Sequence, residues 1–136
     1  MKKLEKINDN DILFYVDSGC EINNDKNDNL ISFIEKCNKY DILYTSTNEN
    51  EIMWNKRDLV DYLEMNNEKT KNSIQNQAGI LFIKKNPKTL EFINEWYKIC
   101  CNYHMIDDTP SILPNDQTFK EHRHDQSIFS LSLIHI

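Results

Sequence analysis

Glycine is nearly missing from this chain, with two in 136 residues. A chain this poor in glycine does not use it as loop filler, so each occurrence asks for a reason. Both sit where an apolar run meets a polar one: Asp17-Ser18-Gly19 follows Ile12–Val16, and Gln77-Ala78-Gly79 precedes Ile80–Ile83. Glycine permits positive φ and lets a ligand approach the backbone closely. Proline is scarce as well, at three, and two of these lie between Tyr103 and Glu121. No stretch approaches the roughly 20 apolar residues of a membrane span. The residues after Met1-Lys2-Lys3 are charged and amidic, unlike the apolar core of a secretory leader. Positive charge is in deficit, and a net charge of -6 excludes generic nucleic-acid binding, which needs a basic stripe. It leaves room for a divalent cation. Cys20, Cys37, Cys100 and Cys101 form no Cys-x-x-Cys pair, and adjacent cysteines cannot close an unstrained disulfide on themselves. A reduced, cytoplasmic setting is therefore expected.

What is present suits one domain over residues 1–136, with bulky anchors among two Trp, six Tyr and six Phe. Residues 2–8 carry a short helical pattern leading into a strand at 11–16. Residues 28–38 place Leu30, Ile31, Phe33, Ile34 and Cys37 at helical spacing, with Asp28 or Asn29 as the cap. A strand at 41–45, a polar loop, a helix at 56–65 and an extended segment at 73–84 broken at 77–79 follow. Pro87–Cys101 is the clearest helix, with Asn86 as cap and Pro87 at the first position, where its missing N–H costs nothing. Residues 103–121 predict a long loop, and 123–136 a last helix. Strands alternating with helices indicate an α/β fold.

Three places carry chemistry. In open α/β sheets ligands bind beyond the carboxyl ends of strands, and an acid there, Asp17, can hold Mn²⁺ or Mg²⁺ while phosphate oxygens complete the shell. The same triplet also fits an ordinary turn. Gln77-Ala78-Gly79 lets the backbone abut a ligand, or else marks a β-bulge. In His122-Arg123-His124-Asp125-Gln126 the His-x-His pair fits zinc, His124 or Asp125 fits a helix cap, and Asp125 with Gln126 fits a pair facing a hydroxyl-rich ligand.

The order of these motifs resembles the nucleotide-diphospho-sugar glycosyltransferases of the GT-A fold. The similarity is to the retaining family of glycogenin and the bacterial lipopolysaccharide galactosyl- and glucosyltransferases, and to viral and capsule-type relatives. Asp17 matches the first acid of their Asp-x-Asp, while Gly19 stands where the second would be. Gln77, Ala78 and Gly79 match the Asn-Ala-Gly-like motif that lines the donor-sugar pocket. Asp125 and Gln126 match the Asp-Gln pair beside the reacting carbon, with His124 in the same string His-Arg-His-Asp-Gln-Ser-Ile-Phe-Ser-Leu. The resemblance implies a partial, Rossmann-like GT-A fold lacking the first β-α-β unit, hence a fragment or trimmed relative.

It implies metal-assisted transfer of a sugar from a nucleotide-sugar donor to a hydroxyl acceptor on a glycan, lipid or protein. Asp17 would be the metal ligand and Asp125 and Gln126 the catalytic pair. Gln77, Ala78, Gly79 and His124 would bind substrate, and Trp54 or Trp96 would offer a stacking surface, although Trp96 fits the core better. All three motifs would have to line one cavity. Two rivals stand beside this reading. A strand followed by Asp also opens phosphatases with an aspartyl nucleophile, and a non-catalytic fragment would bind no sugar nucleotide.

Overall fold

The short apolar runs become strands and the periodic segments become helices in a computed structural model that describes residues 3–135. In chain order the regular elements are β1 (Ile12–Val16), α1 (Asn27–Tyr40), β2 (Ile42–Leu43), β3 (Ser46–Asn50), α2 (Arg57–Tyr62), α3 (Glu68–Lys71), β4 (Ile74–Asn76), β5 (Ile80–Lys84), α4 (Pro87–Cys100) and α5 (His124–His135). The structure is mixed α/β with two small antiparallel sheets, β1-β5-β2 and β3-β4. The chain divides into two compact units, Met1–Thr45 with Gly79–Asn94 and Ser46–Ala78 with Glu95–Ile136.

In the first unit β5 lies between β1 and β2 and runs antiparallel to both, with Phe14 opposite Phe82 and Ile42 opposite Ile83. Consecutive Leu81, Phe82 and Ile83 are all buried, so both faces of β5 are covered, which is why the run is continuously apolar. Phe82 stacks on Phe14 at 4.4 Å and takes Phe33 of α1 at 5.6 Å between ring centroids. The expected cap on α1 is absent: the helix starts at Asn27, and its N-cap residue Lys26 makes no side-chain cap bond. The cap on α4 forms as expected. Asn86 Oδ1 accepts the Thr89 N–H at 3.0 Å and Thr89 Oγ1 accepts the Asn86 N–H at 3.0 Å, a reciprocal pair of the capping-box kind.

In the second unit Leu59, Met65, Met105, Ile128 and Leu131 form the core, with Trp96, Ile99 and Ile106 packed against it. The run Ser127–Ser132 of α5 is buried throughout; Ser127 and Ser130 find partners inside, on the Trp54 carbonyl and Glu51, while the Ser132 hydroxyl has none among the described residues. Three expectations need correction. Residues 2–8 supply one 3₁₀ turn, Leu4–Lys6. The polar stretch after β2 is strand β3, paired with β4 with Ser46 opposite Asn76. A short helix, α3, stands where none was expected; its cap is Asn67, whose Oδ1 accepts the Thr70 N–H at 3.0 Å. Among the described residues no helix is long and apolar enough to cross a membrane.

Candidate functional site

Strand β4 ends at Asn76, and the chain leaves it through Gln77 and Ala78. In the second unit this exit is held by α5. Gln126 Oε1 accepts the Ala78 N–H at 3.4 Å, and Gln126 Nε2 donates to Gln75 Oε1 at 3.0 Å. One turn further on, Ser130 Oγ accepts the Asn76 N–H at 2.7 Å and donates to Glu51 Oε1. Asn55 Nδ2 reaches Glu51 Oε2 at 2.6 Å. Glu51 is 1% exposed. Burial raises its carboxyl above the usual range, opposed by the bonds from Ser130, Asn55 and Gln75. Gln126, on Ala78 and Gln75, and Ser130, on Asn76 and Glu51, therefore fix the strand exit on α5.

Beside this chain lies a polar cleft of about 490 Å³, lined by Ser46, Thr47 and Glu49 of β3, by Gln75 and Gln77, and by Trp54, Lys120 and Arg123. That volume falls in the range of small-molecule sites. Trp54 is the buried floor. The Arg123 guanidinium carbon stands 3.8 Å from its ring centroid and Lys120 Nζ 5.0 Å, both within cation–π range. The backbone keeps these cations in place: the Arg123 N–H donates to the Trp54 carbonyl at 3.2 Å and the Lys120 N–H to the Met53 carbonyl at 2.8 Å. Hydroxyls, amides and two cations around one aromatic floor can hydrogen-bond a polyol and balance an anion.

The loop 103–121 is tied down by buried charge. Lys56, 2% exposed, donates to Asp107 Oδ1 at 2.6 Å and to the His104 carbonyl at 2.8 Å. The hydrogen bonds from Lys56 and Thr109 hold the Asp107 carboxyl down at about 2. Burial by itself would raise Asp58, but the His104 ring at 2.6 Å and the Ile112 and Leu113 N–H groups hold it well below the carboxylate range. His122 closes the arrangement: its Nδ1 accepts the Lys56 N–H at 3.3 Å and its Nε2–H donates to the Met105 carbonyl at 2.8 Å. Accepting a backbone N–H at Nδ1 requires the neutral ring with its proton on Nε2.

Asp17 and Gly79 meet in the first unit. The Asp17 N–H donates to the Gly79 carbonyl at 2.8 Å, and the Tyr15 hydroxyl donates to Asp17 Oδ1 at 2.6 Å. A Cβ on Gly79 would stand 2.9 Å from Asp17 Oδ2, whereas one on Gly19 would meet nothing within 4 Å. Neither glycine has positive φ, which corrects the conformational reason expected for them. Gly79 is small because Asp17 approaches it. For a divalent cation the donor set is thin. Asp17 is one carboxylate with an oxygen already taken by Tyr15, and no group of three His, Cys, Asp or Glu that could hold a metal is found among the described residues. By themselves these residues do not build a resident Mn²⁺ or Mg²⁺ site.

Of the expected site residues, Gln77 lines the cleft and Ala78 is held by Gln126. His124 and Asp125 are not among the residues lining it. His124 is exposed, with backbone φ of 49° and its Nε2 on Asp108 Oδ1 at 2.7 Å. The Asp125 carbonyl accepts Trp96 Nε1–H at 3.0 Å. Burial, then the Asp125 carboxylate and Cys101, push the Cys100 thiol up to about 11, so Asp125 bears on the end of α4. His122 is spent on two backbone groups, against the zinc pattern of His-x-His. Trp96 packs on Phe129 at 5.0 Å, in the core. Sequence reasoning missed Glu51, Lys120 and Arg123, whose importance comes from what faces them. No local signal pointed to them, because Lys120 and Arg123 lie more than sixty positions from the Trp54 they cover.

The chain matches no family model, no curated protein and no solved structure.

Proposed function

We propose that this chain binds a nucleotide diphosphate sugar and takes part in moving its glycosyl group to a hydroxyl acceptor, on a framework related to the GT-A fold. The observation that carries the reading is the hold of Gln126 on Ala78 and Gln75, beside a polar cleft lined by Gln77. It joins Ala78 to Gln126, 48 residues apart, within the second unit. In this reading Gln77 hydrogen-bonds the sugar. Gln126 is a positioning residue, because both ends of its amide are spent on the protein. In this reading Mn²⁺ or Mg²⁺ arrives bound to the donor's diphosphate.

The test is thermal unfolding of the chain with a panel of nucleotide sugars, with and without Mn²⁺, followed by measurement of nucleoside diphosphate release in the presence of sugar acceptors. A ligand that binds only the folded state must raise the midpoint. At least one nucleotide sugar should do so, and Gln77→Ala should reduce the shift. If every nucleotide sugar at millimolar concentration leaves the midpoint unchanged, the reading fails. Hydrolysis of a simple phosphoester, abolished by Asp17→Asn, would put an aspartyl-nucleophile phosphatase in its place.

A further inference from the structure

We infer that Lys120 and Arg123 form an anion clamp that receives a diphosphate, with the Trp54 ring as its floor; the assignment of that diphosphate to a sugar nucleotide rests on the transfer reading above. The chain carries a net charge of -6, so anions are repelled in general and are admitted only where cations are gathered and fixed. Here two are. Both lie over one indole, and the backbone N–H of each is bonded to the Met53–Trp54 segment. The backbone bonds fix where the two side chains start, and the shared indole face gathers their charges.

Their present partners are weak competitors. Lys120 Nζ pairs with Glu49 Oε2 at 3.1 Å, with both side chains close to half exposed. Arg123 Nε stands 3.4 Å from Glu121 Oε1, a comparably exposed pair, and this buried nitrogen makes no hydrogen bond. Exposed ion pairs of this kind contribute about 0–1 kcal/mol. A diphosphate presents several charged oxygens to both cations at once, and a guanidinium offers it a planar fork of donors. Ser46, Thr47, Gln75 and Gln77 supply hydroxyls and amides around the same cleft, which suits a diphosphate carrying a sugar better than a bare ion.

The experiment measures dissociation constants of inorganic pyrophosphate, UDP-glucose, GDP-mannose and free glucose by calorimetry. The proteins are the wild-type chain, Lys120→Gln, Arg123→Gln and Arg123→Lys. Loss of a charge-assisted contact should weaken pyrophosphate ~10-fold or more in Arg123→Gln, with a smaller loss in Lys120→Gln and partial recovery in Arg123→Lys. Lys120 is exposed, so its variant keeps the test valid if Arg123→Gln unfolds. Binding of pyrophosphate and of a nucleotide sugar, both weakened by these variants, supports the clamp and its assignment. Pyrophosphate binding without any nucleotide-sugar binding upholds the clamp and overturns the transfer reading. Nucleotide-sugar binding that the variants leave unchanged overturns the clamp and leaves transfer standing. Binding of neither overturns both.

Discussion

Acidification should loosen the second unit through one residue, His122. Its ring sits between the Lys56 N–H and the Met105 carbonyl, so a proton on Nδ1 would destroy an acceptor and place a charge in a buried position. Burial is the main reason its pKa falls from 6.5 to about 4. The Met105 carbonyl opposes that fall, Lys56 and His124 add to it, and Asp107 opposes it. Between these two values the unfolded chain binds more protons than the folded one, so stability is present above about pH 6.5 and is lost as pH falls. From about pH 7.5 to about pH 4.5 the loss is on the order of 2–3 kcal/mol. Glu51 acts with the opposite sign: its raised pKa means that folding favours its neutral form, and stability is regained as pH falls through its folded value. Comparison with His122→Gln, which can serve both backbone groups without titrating, separates the two. Urea unfolding followed by tryptophan fluorescence reports this unit, because Trp54 and Trp96 both belong to it. The wild type should lose roughly 2–3 kcal/mol more than the variant over that range. Equal pH dependence in the two proteins would refute the buried neutral ring.

Two further outcomes follow from single contacts. Ser130→Ala removes the donor to Glu51 and the acceptor for the Asn76 N–H, leaving buried polar groups unpaired, and should lower stability by ~1–3 kcal/mol in urea unfolding. Gly79→Ala should stay within ~1 kcal/mol of wild type in thermal unfolding, because only the end of the exposed Asp17 side chain has to move and the backbone lies outside the left-handed region. A loss above ~2 kcal/mol would show that the backbone itself depends on glycine there.

Much of the framework was legible along the chain. β1 and β5 are unbroken apolar runs, and α4 announces itself by Asn86, Pro87 and a periodic face, all of which act on near neighbours. β3 was not legible, since Ser-Thr-Asn-Glu-Asn has no apolar alternation and becomes a strand only by pairing with β4. The glycines were noticed for a reason that proved wrong, while the left-handed positions fell to Asn10, Asp41, Glu64 and His124. Around the candidate site, Gln77 and Gln126 were singled out from the sequence, but Lys120, Arg123 and Glu51 look like ordinary surface charges until their neighbours are known.

Local chemistry alone settled where apolar segments run, where α4 begins and that the chain is mixed α/β, because hydrophobic period and capping depend on residues a few positions apart. Tertiary packing alone settled that Lys56 and Glu51 lie buried, that His122 is a neutral latch, and that two cations share one indole. Those outcomes turn on desolvation and on partners tens of residues away, and the free energy of a charge depends on its surroundings, which residue order does not specify.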